Sequence, residues 1–149
     1  MGHITEYAMK QISEAFGRRL KETGVTRIQW IALYFIAKDQ PITQGNLSRL
    51  MDVKDSSGGR LLDRMERDGL ILRNRSKKDK RVIYVSLTDK GTSLFIELLP
   101  YGDDFNNDLI EGIDEEELKI FEKVLAKMVD NISNEKDNTI DLPEDAVDK

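Results

Sequence analysis

Apolar residues recur along this chain at helical spacings, with one short interval in which they alternate instead. Ile4, Ala8, Ile12, Ala15 and Phe16 share one face up to about Leu20, and Gly24 closes that first helix. Thr26-x-x-Gln29 has the spacing of a capping box, and Ile28, Ile31, Ala32, Phe35 and Ile36 carry a second helix to near Lys38. Pro41 breaks the chain, Thr43 can cap, and Leu47, Leu50 and Met51 predict a short third helix of about two and a half turns. A polar turn at Asp52-Val53-Lys54 follows. Leu61, Leu62 and Met65 lie at helical spacing in a fourth helix stopped by Gly69, so residues 43–69 read helix, short turn, helix.

After Gly69 the texture changes. Leu70-Ile71-Leu72 is a short apolar run, a basic stretch interrupts, and Val82-Ile83-Tyr84-Val85-Ser86-Leu87 is β-branched and partly alternating, which predicts two strands and a basic loop, a wing. Thr88-Asp89 supplies another cap, and Leu94, Phe95, Leu98 and Leu99 run helically into Pro100, which kinks or ends that helix. Asp114-x-x-Glu117 repeats the capping pattern before Leu118, Phe121, Leu125, Met128 and Ile132, whose alternating three- and four-residue steps make a packing seam. Beyond Ser133 the chain is acidic and nearly free of large apolar groups, so a flexible tail is expected over 134–149. No internal repeat points to a solenoid. The class expected is mainly α with a small β wing.

Composition removes several kinds of chemistry. The 149 residues include no cysteine and one histidine, His3, so there is no Cys/His cluster for zinc and no thiol for redox sensing or nucleophilic attack. No metal and no cofactor is expected. Folding needs neither, because a chain of this length hides roughly two-thirds of its unfolded surface. Trp30 to Ala37 is the longest apolar run and is far short of the about 20 residues that span a bilayer, so no membrane partner is expected. Met1 to Glu6 lacks a basic region followed by an apolar one, and a cytoplasmic location is expected.

A net charge of −5 looks unpromising for a polyanionic partner until it is divided along the chain. Residues 1–42 sum to +2, residues 43–91 to +5, residues 92–99 to −1 and residues 100–149 to −11. The positive part is sharpest at Arg73-Asn74-Arg75-Ser76-Lys77-Lys78-Asp79-Lys80-Arg81, with six cations against one anion. The bland reading is a solvated charged hairpin. Its place between two strands, just after a helix-turn-helix, favours a phosphate backbone as the partner.

These residues resemble the MarR-type winged helix-turn-helix transcriptional regulators over about residues 4–132. The likeness rests on Gln29-Trp30, on Asn46-Leu47-Ser48, on Arg60-Leu61-Leu62-Asp63-Arg64-Met65-Glu66 leading to Gly69-Leu70-Ile71, and above all on Asp79-x-Arg81 followed by Val85-x-Leu87-Thr88-Asp89-Lys90-Gly91. The resemblance implies an N-terminal dimerisation helix over 1–25, a DNA-binding winged helix-turn-helix over 26–91 and C-terminal dimerisation helices over 92–133. It also favours a kink over a stop at Pro100. Implied partners are double-stranded DNA, a second copy of the chain and a small-molecule effector. Gly58 and Gly59 depart from the family pattern, since glycine inside a helix costs roughly 0.5–1 kcal/mol relative to alanine. Either bare backbone approaches DNA there, or the glycines fit a crowded neighbour.

A helix-turn-helix presents the start of its second helix to the major groove, which makes Ser56, Ser57 and Arg60 the candidates for base edges and phosphates. Lys54 and Arg64 are better placed for phosphates. Asp55 is read as an anion favoured by the helix dipole. In the wing, the resemblance assigns Arg81 to the minor groove with Asp79 orienting it or bracing the loop, while Arg75, Lys77, Lys78 and Lys80 add phosphate contacts. Trp30 and Tyr34 are the residues that would wall an effector pocket, although aromatics at helical spacing more often fill a core. Glu115, Glu116 and Glu117 suit a helix's first turn, and Asp103 and Asp104 lack any partner constellation, so no enzyme is expected. The reading is a homodimeric, ligand-responsive repressor on a pseudo-palindromic operator. Its rival is a winged-helix scaffold whose wing binds an acidic protein.

Overall fold

The computed structural model describes residues 1–133, so the expected flexible tail at 134–149 lies outside the described residues. The chain divides into two compact units after Leu109. The first contains α1 (Gly2–Leu20), a 3-10 turn (Lys21–Thr23), α2 (Arg27–Asp39), β1 (Ile42–Thr43), α3 (Gln44–Leu50), α4 (Asp55–Arg67), β2 (Ile71–Arg75), β3 (Ile83–Leu87) and α5 (Asp89–Leu109). The second contains α6 (Glu115–Ser133). This is the mainly helical fold with a small sheet that the apolar pattern predicts.

The helix starts follow the caps read from sequence. Thr26 Oγ1 accepts from Gln29 N at 3.2 Å while Gln29 Oε1 accepts from Thr26 N at 3.0 Å, a complete capping box. Thr43 Oγ1 accepts from Asn46 N, Thr88 Oγ1 accepts from Gly91 N, and Asp114 and Glu117 form the reciprocal pair that opens α6. At the end of α4, Gly69 takes φ 75°, a left-handed backbone that costs glycine little and lets Leu70 N reach Met65 O. The sharp turn between α3 and α4 puts Asp52 at φ 51°, which short polar side chains tolerate better than branched ones.

The sheet differs from expectation in two ways. A third strand, β1, pairs with β3 through Ile42↔Val85 and Thr43↔Tyr84, giving the antiparallel order β1-β3-β2. Two residues carry no period of their own, so only the pairing reveals this strand. In addition, β2 continues to Arg75, opposite Ile83, so Arg73, Asn74 and Arg75 belong to a strand and not to the loop. The third helix is also shorter than predicted, ending at Leu50.

Ala32, Leu33, Ile36, Leu47, Leu61, Leu62, Met65, Leu70, Ile71, Val85 and Leu98 form one core that joins α2, α3, α4, the sheet and α5. That burial is what fixes the helix-turn-helix beneath the wing. The α5 helix continues through Pro100, where one backbone bond is necessarily lost. Next to that gap Leu98 is buried, and its carbonyl accepts from Trp30 Nε1 at 3.3 Å, so α2 holds α5 there.

Candidate nucleic-acid interface

α4 divides cleanly by burial. Gly58, Leu61, Leu62 and Met65 face the core, whereas Lys54, Asp55, Ser56, Ser57, Arg60 and Arg64 are exposed. Ser56, Ser57, Arg60 and Arg64 therefore form a polar row along the outer side of the helix, with Lys54 immediately before it. Lys54, the N-cap of α4, makes no side-chain capping hydrogen bond to the first N–H groups of that helix.

The two glycines separate the readings left open by sequence. A Cβ on Gly58 would lie 2.3 Å from Ser48 Oγ and 3.3 Å from Ser48 Cβ, and Ser48 is only 2% exposed. Gly58 is thus the point where α4 crosses α3, the crowded-neighbour reading. Gly59 is different: its Cβ would meet only Gln44 Nε2 at 3.7 Å, an ordinary contact. We expect Gly58→Val to cost about 1–3 kcal/mol by overpacking, and Gly59→Ala to gain up to about 0.5–1 kcal/mol. Paired thermal melts check both signs.

The wing is built around two internal devices. Asp79 Oδ1 accepts from Arg81 N at 3.0 Å and from Arg81 Nε at 3.2 Å, and Asp79 Oδ2 accepts from Arg81 Nη2 at 3.4 Å. Hydrogen bonds from the Arg81 side chain, then from its backbone, hold the Asp79 carboxyl below its ordinary range. Asp79 both orients Arg81 and braces the loop, the two possibilities the motif suggests. Ser76 Oγ accepts from Lys78 N and Asp79 N, and Arg75 Nη1 donates to Lys80 O at 3.1 Å, closing the tip. Arg75, Lys77, Lys78, Lys80 and Arg81 are all exposed.

Arg73 corrects the charge count made from sequence. It is not a free cation of the loop: its guanidinium bonds Asp63 Oδ1 at 2.5 Å and Glu66 Oε2 at 2.9 Å, both on α4. Five wing cations, not six, face solvent. A groove of about 340 Å³ opens where α3, the start of α4 and the base of the wing meet, lined by Thr43, Gln44, Gly45, Ser48, Asp55, Arg81, Val82 and Ile83. Sequence reasoning did not single out the α3 residues of this groove, although the Thr43 cap that starts α3 is legible there.

Residues 23–82, which run from the end of the 3-10 turn through α2, α3, α4 and β2 to the wing loop and stop before β3, match the sequence model of the MarR family. A Bacillus subtilis (strain 168) protein described as the HTH-type transcriptional regulator YsmB is 29% identical over 109 residues, covering 73% of this chain and 75% of that one. The helix-turn-helix part of the chain is thus similar to the MarR family. Among solved structures, the transcriptional regulator PA3341 superposes with a TM-score of 0.80 at 28% identity, over 89% of this chain and 98% of that one. The S. aureus MepR-DNA complex gives a TM-score of 0.80 at 21% identity, over 88% and 97% of the two chains, and shares the fold.

In this chain the aromatic residues of α2 touch other aromatic rings. Trp30 stacks on Tyr34 with ring centroids 5.6 Å apart and meets Phe16 edge-on at 5.1 Å; both Trp30 and Tyr34 are partly buried, and Trp30 packs against the core. A separate cavity of about 330 Å³ is lined by Arg18, Arg19, Glu22, Tyr101 and Asp104, and by neither Trp30 nor Tyr34. Glu115 pairs with Lys119 at 2.6 Å, which lowers its pKa through the Lys119 hydrogen bond. Among the described residues no group of three acidic, His or Cys side chains is placed to hold a metal ion, and no helix is long and apolar enough to cross a membrane.

Proposed function

We propose that this chain is a MarR-family transcriptional regulator that binds a pseudo-palindromic operator as a homodimer, with α4 in the major groove and the wing in the flanking minor groove. The observation that carries the reading is the joint exposure of the α4 row and the five wing cations on elements locked to one core. Ser56, Ser57 and Arg60 read base edges, Lys54 and Arg64 hold phosphates, and Arg81, pre-oriented by Asp79, enters the minor groove. Arg75, Lys77, Lys78 and Lys80 supply salt-dependent affinity.

The dimer would use α1, α5 and α6, and each carries large apolar side chains on its surface: Ile4, Tyr7 and Met9 on α1, Ile96 on α5, and Ile120, Phe121 and Val124 on α6. Occupied operator would exclude polymerase, and a small effector would release it by changing the separation of the two reading heads. The cytoplasm is the compartment this function requires.

Selection of duplexes from a random pool tests the reading. The expected outcome is a two-fold sequence with half-sites about 10 base pairs apart. Affinity for the selected duplex should fall steeply with salt, whereas a flat, sequence-independent response supports a protein-binding scaffold instead. Arg81→Ala should weaken binding by on the order of 1–3 kcal/mol with an unchanged melting temperature. Unchanged affinity in that variant contradicts the wing assignment.

A further inference from the structure

We propose that Arg73 is a positioning residue that ties the wing to α4, and that it is not itself a ligand of the DNA backbone. The proposal rests on the DNA-binding reading above and adds how the two reading elements keep their separation.

The geometry is specific. Arg73 lies in β2 opposite Val85, which is fully buried, so the two side chains share the inward face of the sheet, whereas Leu72 and Tyr84 are exposed. From that inner face the guanidinium reaches α4, where Asp63 and Glu66 stand three residues apart on one side of the helix. Its Nε and Nη2 each take a different carboxylate, a use of the planar fork that an ammonium cannot copy. The side chain is 19% exposed, against 90% for Arg81 at the tip. Hydrogen bonding to Glu66 leads the effects that raise the Arg73 pKa above its ordinary value.

Among the described residues, no other hydrogen bond joins the β2–β3 hairpin to α4; the remaining links are the apolar packing of Ile71 and Val85 with Leu61, Leu62 and Met65 at the base of the sheet and the short chain passage through Gly69 and Leu70. Without Arg73 only that apolar base and the pairing of β1 with β3 hold the hairpin, and its outer part, from Arg73 to the tip, is free to bend relative to α4. The spacing between the Arg81 tip and the α4 row would then broaden, and two contacts made to one duplex would no longer be preorganised. The ion pairs also carry a cost in charge, since Asp63 and Glu66 place two anions beside a surface that faces phosphate. A tie that matters mechanically accounts for keeping them there.

Two variants give opposite signs for the two roles. Asp63→Asn combined with Glu66→Gln removes two negative charges and frees Arg73. If Arg73 were a phosphate ligand, affinity for the selected duplex would rise; as a tie, its loss should weaken binding about tenfold. Arg73→Met should weaken binding similarly while leaving the slope of log affinity against log salt unchanged, whereas loss of a phosphate contact lowers that slope by about 0.9. Arg73→Lys should restore only part of the loss.

A DNA-free measurement completes the test. The chain has no cysteine, so Arg67→Cys and Lys78→Cys can carry a pair of nitroxide labels, diluted with unlabelled chain. The distance distribution between them should be narrow in the parent and broad with Arg73→Met. An unchanged distribution, tighter binding by the double variant, or a reduced salt slope with Arg73→Met would each overturn the proposal. If the parent binds no duplex, the DNA-binding reading fails, and the label distances still decide whether Arg73 ties the hairpin to α4.

Discussion

Gly91→Ala should destabilise the fold more than any surface change, by about 3 kcal/mol, and lower the melting midpoint by about 10 °C for a chain of this size. A Cβ at that position would lie 2.0 Å from Leu70 O and 3.0 Å from Leu70 C. Leu70 O cannot simply move away, because it accepts from Thr88 N at 3.1 Å. The neighbouring Gly69 O is held at 2.6 Å by Thr88 Oγ1, and Asp68 O at 2.7 Å by Lys90 Nζ. The start of α5 is thus clamped onto the end of α4 through backbone, and glycine is what permits the clamp to close. A melting midpoint within two degrees of the parent, roughly 1 kcal/mol or less, would mean that this approach is looser than described.

Phe121→Asp should have the largest effect on operator binding of any residue outside the reading elements. Phe121 is 58% exposed and Ile132 71% exposed on the apolar seam of α6. A homodimer that covers this seam would have to bury an unpaired carboxylate at position 121, which disfavours association. Sedimentation should then report a monomer. With the second head no longer tethered to the first, operator affinity should fall by on the order of 10²–10⁴. A variant that stays dimeric moves the interface off this seam, and a monomer that keeps full affinity contradicts the two-fold mechanism.

What could be read from sequence was whatever is encoded within a few residues. The capping boxes at Thr26 and Asp114, the stop at Gly69 and the alternation of Val82 to Leu87 depend on neighbours in the chain, and all appear in the fold. The exposed row of α4 followed equally well, because its buried partners repeat at helical spacing. Three features needed the third dimension. β1 is defined only by Val85 and Tyr84 across the sheet. Gly58 owes its place to Ser48 on another helix. Arg73 looked like one more basic residue in a charged run, and only folding brings it to Asp63 and Glu66, 10 and 7 residues earlier. Counting charges along a chain gives an upper bound on the cations offered to a partner, since folding can spend some of them internally.

Trp30 is the single tryptophan in the chain, and its indole sits against Phe16, Tyr34 and the bare backbone of Gly102, where a Cβ would come within 2.5 Å of the ring. The molecule therefore carries a native fluorophore at the junction of α1, α2 and α5. Sliding of those helices against one another would alter the polarity and quenching around that one ring, so a titration with small molecules can be followed by intrinsic emission without labelling the protein.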